Sequence, residues 1–251
     1  MNEKLVKTEW DVYFDMALTM LETVIKNSSE GKRTVMIVPV GPTDQYPILA
    51  RLINTLRVSF KNVWFFNMDE YMTDESTVMS TDHPLSFEAR MNREFYSQVD
   101  PELVMPESQR LFPRPGKEAE YDRLLSSLGG ADLCLGGLGI NGHIAFNEPQ
   151  KELSAQEFAS LPTRVLKIST ETRTINANGY ARGDISALPE YCITIGMKQI
   201  LASKKIYIAL NRAWQHGPYV NAFSNAPTAQ NPASLLQEHK DVTFCMIDSI
   251  K

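Results

Sequence analysis

The chain is poor in cysteine and carries no excess of positive charge. Its 251 residues include three cysteines, and 25 Lys and Arg face 30 Asp and Glu for a formal net charge of -5. A surface made for nucleic acid or an anionic membrane needs a basic excess, so neither partner is expected. Cys134, Cys192 and Cys245 lie far apart, each inside an apolar run. They read as reduced core thiols, which fits a cytoplasmic protein and excludes a disulfide framework. With no CxxC pair, no HExxH and no second His at ligand spacing, no metal site is expected. No apolar run reaches the roughly eighteen residues of a membrane span. The opening MNEKLVKTEWDVYFD has acids where a signal peptide needs an unbroken apolar stretch. Repeats, low-complexity tracts and linker-like breaks are absent too, so residues 1–251 read as a single domain.

What is present is an alternation of two periodicities. Trp10, Tyr13, Phe14, Ala17, Met20, Leu21, Val24 and Ile25 form the 3.6-residue stripe of an amphipathic helix, with Thr8 as its N-cap. TVMIVPV (34–40) is short, β-branched and apolar on both faces, as a buried parallel strand should be. A helix through Tyr46, Leu49, Leu52, Ile53 and Leu56 follows, then the strand NVWFF (62–66). Helical stretches at 84–99 and 117–130 lead to the strand DLCLGG (132–137), the second helix being closed by a Gly pair. Further strands are expected at RVLKIS (164–169), YCITIG (191–196), IYIAL (206–210) and DVTFCMI (241–247), with helices at MKQILASKK and RAWQHGPYVNAF. This order predicts an α/β fold of the doubly wound, Rossmann-like kind: a mostly parallel sheet with helices on both faces. Trp10, Trp64 and Trp214 are assigned to its core.

In such sheets ligands bind outside the carboxyl ends of the strands. Three polar segments follow strands directly: GPTDQY, NMDEY and GLGINGH. Position alone leaves Asp69 open between a turn or cap and a general base, whose basicity burial beside an aromatic strand end would raise. His143 lies in a Gly-rich loop five residues before Glu148, a carboxylate able to orient an imidazole and fix its tautomer. Gly41 and Thr43 offer donors at a strand-to-helix turn, although Pro42 and Thr43 also suit an ordinary turn and cap. Gly137 and Gly139 are taken as substrate-lining backbone. Without GxGxxG opening a helix they form no dinucleotide fingerprint, and no cofactor is expected.

Taken together, these segments resemble the glucosamine-6-phosphate deaminase/isomerase family, which is related to the 6-phosphogluconolactonases. VSFKNVWFFNMDEY and GINGHIAFNEP carry the resemblance. HPLSF (83–87), TETRT (170–174), CITIGMKQIL (192–201) and NPASLLQEHKDVTFCMID (231–248) support it over nearly the whole chain. The resemblance implies a modified doubly wound fold and an enzyme that opens an amino-sugar ring, moves a proton between C2 and C1, and releases ammonia. It implies Asp69 as the proton-shuttling base, His143 as the ring-opening group and Glu148 as its support, with no metal or redox cofactor. It implies a small amino sugar or sugar phosphate as partner, and allows a homo-oligomer among its assemblies.

Three departures from the family pattern stand out. Asn141 replaces an Asp, removing a charge that would raise the imidazole's pKa. The phosphate loop is rewritten as GPTDQY, where Pro42 lacks an N–H and Asp44 adds an acid. The family's phosphate-binding Arg and Lys fall on Asn178 and near Gln215. Arg173, Arg212 and His216 are the cations available as replacements, Arg173 being placed in the binding site. Of the basic residues relatives use at an effector site, Arg164 has a counterpart, and Leu166 stands where a Lys is expected. Two other functions remain as alternatives: a lactonase-like hydrolase on the same fold, and a weakly catalytic sugar-phosphate-binding regulator.

Overall fold

The apolar stretch at 34–38 is a strand buried on both faces, Val35 and Ile37 packing into one core and Met36 and Val38 into the other. Full burial of each such side chain contributes about 1.5–3 kcal/mol, and an unbroken apolar run is how a central parallel strand collects that from both sides. The computed structural model describes residues 1–179 and 181–251.

Among these residues the strands are β1 (Asn2–Val6), β2 (Thr34–Val38), β3 (Val63–Asn67), β4 (Asp69–Met72), β5 (Arg110–Leu111), β6 (Leu133–Gly137), β7 (Arg164–Lys167), β8 (Tyr191–Thr194), β9 (Ile206–Leu210) and β10 (Val242–Ile247). Seven of them form a wholly parallel sheet in the order β1-β10-β9-β6-β2-β3-β5, and β4-β8-β7 form a separate antiparallel sheet. The helices are α1 (Glu9–Ser29), α2 (Gln45–Leu56), α3 (Phe87–Met91), α4 (Glu118–Ser127), α5 (Ala155–Ala159), α6 (Thr170–Ala177), α7 (Met197–Leu201) and α8 (His216–Ser224). α1 and α2 bury Met16, Met20, Leu49 and Ile53 in one core; α4, α7 and α8 bury Tyr121, Ile200 and Ala222 in the other. Helices therefore cover both faces, as the alternation requires.

Local chemistry explains the element ends. Thr8 caps α1 in a reciprocal box with Asp11. Gly129 and Gly130, both at positive φ, turn the chain after α4.

Four expectations need correction. The segment after β3 is not a loop: Asp69–Met72 is β4, reached when the chain leaves the large sheet at Met68. Met68 bridges the two sheets, its N–H donating to Val38 at 2.9 Å and its carbonyl accepting from Ile195 at 2.6 Å. RVLKIS and YCITIG do form strands, but in the small antiparallel sheet. β1 and β5 went unforeseen, because edge pairing through the backbone leaves no apolar pattern; the side chains of Asn2–Leu5 are exposed. Trp10 is 58% exposed, stacked on Phe14 rather than buried in the core. Among the described residues no helix is long and apolar enough to cross a membrane.

Candidate active site

The strand order reverses at β2. The chain builds outward through β3 and β5, then returns to lay β6 on the other side of β2. The loops after β2 and β6 therefore diverge at one edge and leave a crevice. A cleft of about 240 Å³ opens there, walled by residues 39–44, Gly137–Gly139, His143, Asp69 and the segment after β9.

Asp69 opens β4 and is 6% exposed. Beside it Tyr71, Phe87 and Phe146 cluster, with ring centroids 4.6–6.3 Å apart, and line the cleft. Burial, reinforced by the neighbouring Glu70 charge, holds the Asp69 carboxyl well above the usual aspartate range. Among the described residues nothing donates a hydrogen bond to it. Glu70 is the opposite case. It accepts from the Phe87 and Glu88 amides at 2.8 Å, from the Tyr71 amide at 2.9 Å and from Ser86 Oγ at 3.2 Å. It ties down the start of α3. Two adjacent acids thus have separate tasks, because β-strand side chains alternate in direction.

His143 is held through Asn141. The imidazole Nδ1 is 2.8 Å from Asn141 Oδ1 and 3.2 Å from Thr172 Oγ1. Asn141 Nδ2 donates to Glu148 Oε2 at 2.6 Å, while Glu148 Oε1 accepts from the Ser169 amide at 3.3 Å. A carboxylate only accepts, so the amide must turn its NH2 to Glu148 and its oxygen to the imidazole. Nδ1 then carries the proton and Nε2 is left as the basic nitrogen. Burial lowers the imidazole's pKa, and the Glu148 charge opposes this without reversing it. The expected support by Glu148 is therefore indirect.

Gly139 makes the arrangement possible. Its N–H donates to the His143 carbonyl at 2.9 Å, closing the turn, and a Cβ there would collide with the imidazole. Gly142 has φ +84°, and a Cβ on it would strike the Asn231 side chain. Ala145 follows at φ 56°, a conformation costly for a residue with a Cβ, just before Phe146 donates its N–H to Thr194 Oγ1.

The cleft brings together Gly41, Thr43, Asp69, Gly137, Gly139 and His143, with Asn141 bonded to the imidazole and Glu148 behind Asn141. Arg173 falls elsewhere. Its guanidinium donates to the Leu188 carbonyl at 2.9 Å and the Ile185 carbonyl at 3.3 Å and faces Glu190, so it fastens the segment after α6. His216 is turned to the Ile250 carbonyl. Trp214, assigned to the core, instead lines the cleft with Tyr13, Asn176, Asn211, Arg212 and Gln215. Arg212 is the one of the three candidate replacement cations that reaches the cleft, and Gln215 lines it too. Tyr13, Asn176, Asn211 and Thr172 were not anticipated, although a polar segment directly after the strand IYIAL was the same signal that marked the other loops. Among the described residues no three His, Cys, Asp or Glu side chains gather as a metal-ligand set.

The chain is 32% identical over 239 residues to a glucosamine-6-phosphate deaminase of Geobacillus sp. (strain WCH70), covering 92% of this chain and 88% of that one. It is 34% identical over 191 residues to the glucosamine-6-phosphate deaminase of Aliivibrio fischeri (strain MJ11), covering 73% of this chain and 66% of the relative's length. Among solved structures, a monomeric glucosamine-6-phosphate deaminase superposes with a TM-score of 0.86 at 27% identity, over 100% of this chain and 98% of the other. The 6-phosphogluconolactonase of Leishmania guyanensis shares the fold, with a TM-score of 0.74 at 16% identity over 99% and 97% of the two chains. No family model matches the chain. The chain belongs to the glucosamine-6-phosphate deaminase family.

Proposed function

We propose that this cleft isomerises and deaminates an amino sugar, taking a 2-amino-2-deoxyaldose to the ketose and ammonia. The observation that carries the reading is the pairing, in one cleft, of a buried carboxylate to which nothing among the described residues donates a hydrogen bond with an imidazole whose Nε2 is left basic. Asp69 takes the C2 proton of the open-chain sugar and returns it to C1. His143 moves the proton needed to open the ring, while Asn141 and Glu148 hold its tautomer. Burial raises the basicity of Asp69 but also favours its protonated form. A substrate ammonium at C2 supplies the opposite charge that restores the carboxylate, so the base is armed by what it acts on. Water then hydrolyses the C2 imine, and ammonia leaves. Gly41, Thr43, Gly137 and Gly139 line the same cleft and bring backbone close to the bound sugar.

The lactonase alternative has less support, since the lactonase likeness is confined to the fold. Supplying hexosamines, with and without a 6-phosphate, and assaying ammonia and ketose together tests the reading. If neither forms from any of them, it fails.

A further inference from the structure

One wall of the cleft is formed by α1, the loop after β2 and the segment after β9, and its one cation is already paired. Arg212 is the one Lys or Arg among the described residues lining the cleft, and it is paired with Glu9 at 3.0 Å. The same Glu9 carboxylate accepts from Tyr13 Oη and Asn211 Nδ2, each at 2.9 Å. Glu9 thus faces, in a half-exposed pair outside the cleft lining, the cation that an anionic ligand would need. Gln215 is committed as well. Its Oε1 accepts from the Asn211 and Arg212 amides at 2.8 and 2.9 Å, and its Nε2 donates to the Leu138 carbonyl at 2.9 Å. At the mouth Asp44 stands at the start of α2 with no capping hydrogen bond of its own. Its carboxylate already answers the positive end of that helix and would repel an incoming anion. What this wall offers a ligand is hydroxyl, amide and the flat faces of Tyr13 and Trp214.

We propose that the sugar taken by this site carries no phosphoryl group. It is an amino sugar with a free hydroxyl, or a short neutral polar substituent, where the relatives' named substrate has its phosphate. Glu9 and Asp44 are the residues that enforce the choice. The proposal rests on the amino-sugar reading above and sharpens it. A phosphate dianion in this cleft would meet Asp44 and compete with Glu9 for Arg212, and a buried anion without charge-assisted donors is strongly disfavoured.

The test uses 2-amino-2-deoxyglucitol and its 6-phosphate, open-chain analogues that bind without reacting, measured by calorimetry on the full chain. The unphosphorylated analogue is expected to bind at least about tenfold more tightly. Glu9→Gln frees Arg212 and Asp44→Asn removes the repelling charge, and each should move the ratio about tenfold toward the phosphate. The Asp44 side chain makes no hydrogen bond among the described residues, so its variant folds even if the Glu9 one does not. Tighter binding of the phosphate by the wild type, or binding of neither analogue, overturns the proposal. An unchanged ratio in Asp44→Asn overturns the assignment of that residue. Ammonia released only from the 6-phosphate sinks the proposal and leaves the deaminase reading standing. Preferred binding of the unphosphorylated analogue, with no ammonia from either sugar, does the reverse.

Discussion

Asn141 Nδ2 donates to Glu148 Oε2 at 2.6 Å and to Ser169 Oγ at 3.3 Å, and the residue therefore has only its oxygen left for the imidazole of His143. The carboxylate is thus felt at the histidine as an orientation more than as a charge. An aspartate at 141 would deliver charge to the ring directly, but would stand against Glu148 as a second acid.

In the wild type, 15N NMR should find His143 protonated at Nδ1 and unprotonated at Nε2, and neutral through pH 7. Asn141→Asp should raise its pKa, since a carboxylate would then face Nδ1 and the new acid pair is relieved when the ring is charged. Glu148→Gln should let the Asn141 amide turn over and present its NH2, moving the proton to Nε2 and lowering turnover of closed-ring sugar. Finding the Nε2–H tautomer in the wild type would contradict this account.

Asp69→Asn should abolish solvent-deuterium exchange at C2 and cut the rate by roughly 10²–10⁴. The same change should stabilise the protein at neutral pH. Asp69 binds its proton more tightly folded than unfolded, so the folded state holds more protons from the ordinary aspartate pKa, about 3.9, up to the raised one. Wild-type stability falls as pH rises through that window, and asparagine has no such loss. The melting temperatures of the two proteins should converge near pH 4 and separate above it. A variant less stable than wild type at pH 7 would show that Asp69 is not strained by burial.

Gly139→Ala puts a methyl group where the His143 ring lies. The ring must leave its place against Asn141, and a displacement of about 1 Å at a reacting group can cost on the order of 100-fold in rate. Turnover should drop by that much while far-UV circular dichroism stays unchanged. Activity within a few-fold of wild type would show that the ring's position is not used.

Arg173→Ala should lower the melting temperature and leave KM unchanged. The guanidinium serves the Leu188 and Ile185 carbonyls, and losing such charge-assisted bonds costs about 1–3 kcal/mol. A large rise in KM with unchanged stability would return Arg173 to the substrate.

Much of this molecule is legible along the chain. The both-faced apolar run at 34–38, the stripe from Tyr13 to Val24 and the Gly pair after α4 fix strand, helix and turn through forces acting between near neighbours in sequence. The alternation of these elements sets the parallel sheet, and strand-end loops mark the cleft before any coordinate is known. Asp69, His143 and Glu148 stand in such stretches, but position leaves Asp69 open between a turn and a base, and it is the family resemblance that implies their roles. Tertiary structure alone decided the rest. That β7 and β8 join β4 in a second sheet depends on which backbone partners remain once the central sheet is filled. That Arg173 braces a loop, that Glu9 holds Arg212 across more than two hundred residues of chain, and that Glu148 reaches His143 only through Asn141 are matters of distance and direction. Residue type tells which bonds a side chain can make; only the packed fold determines which partner is near enough to make them.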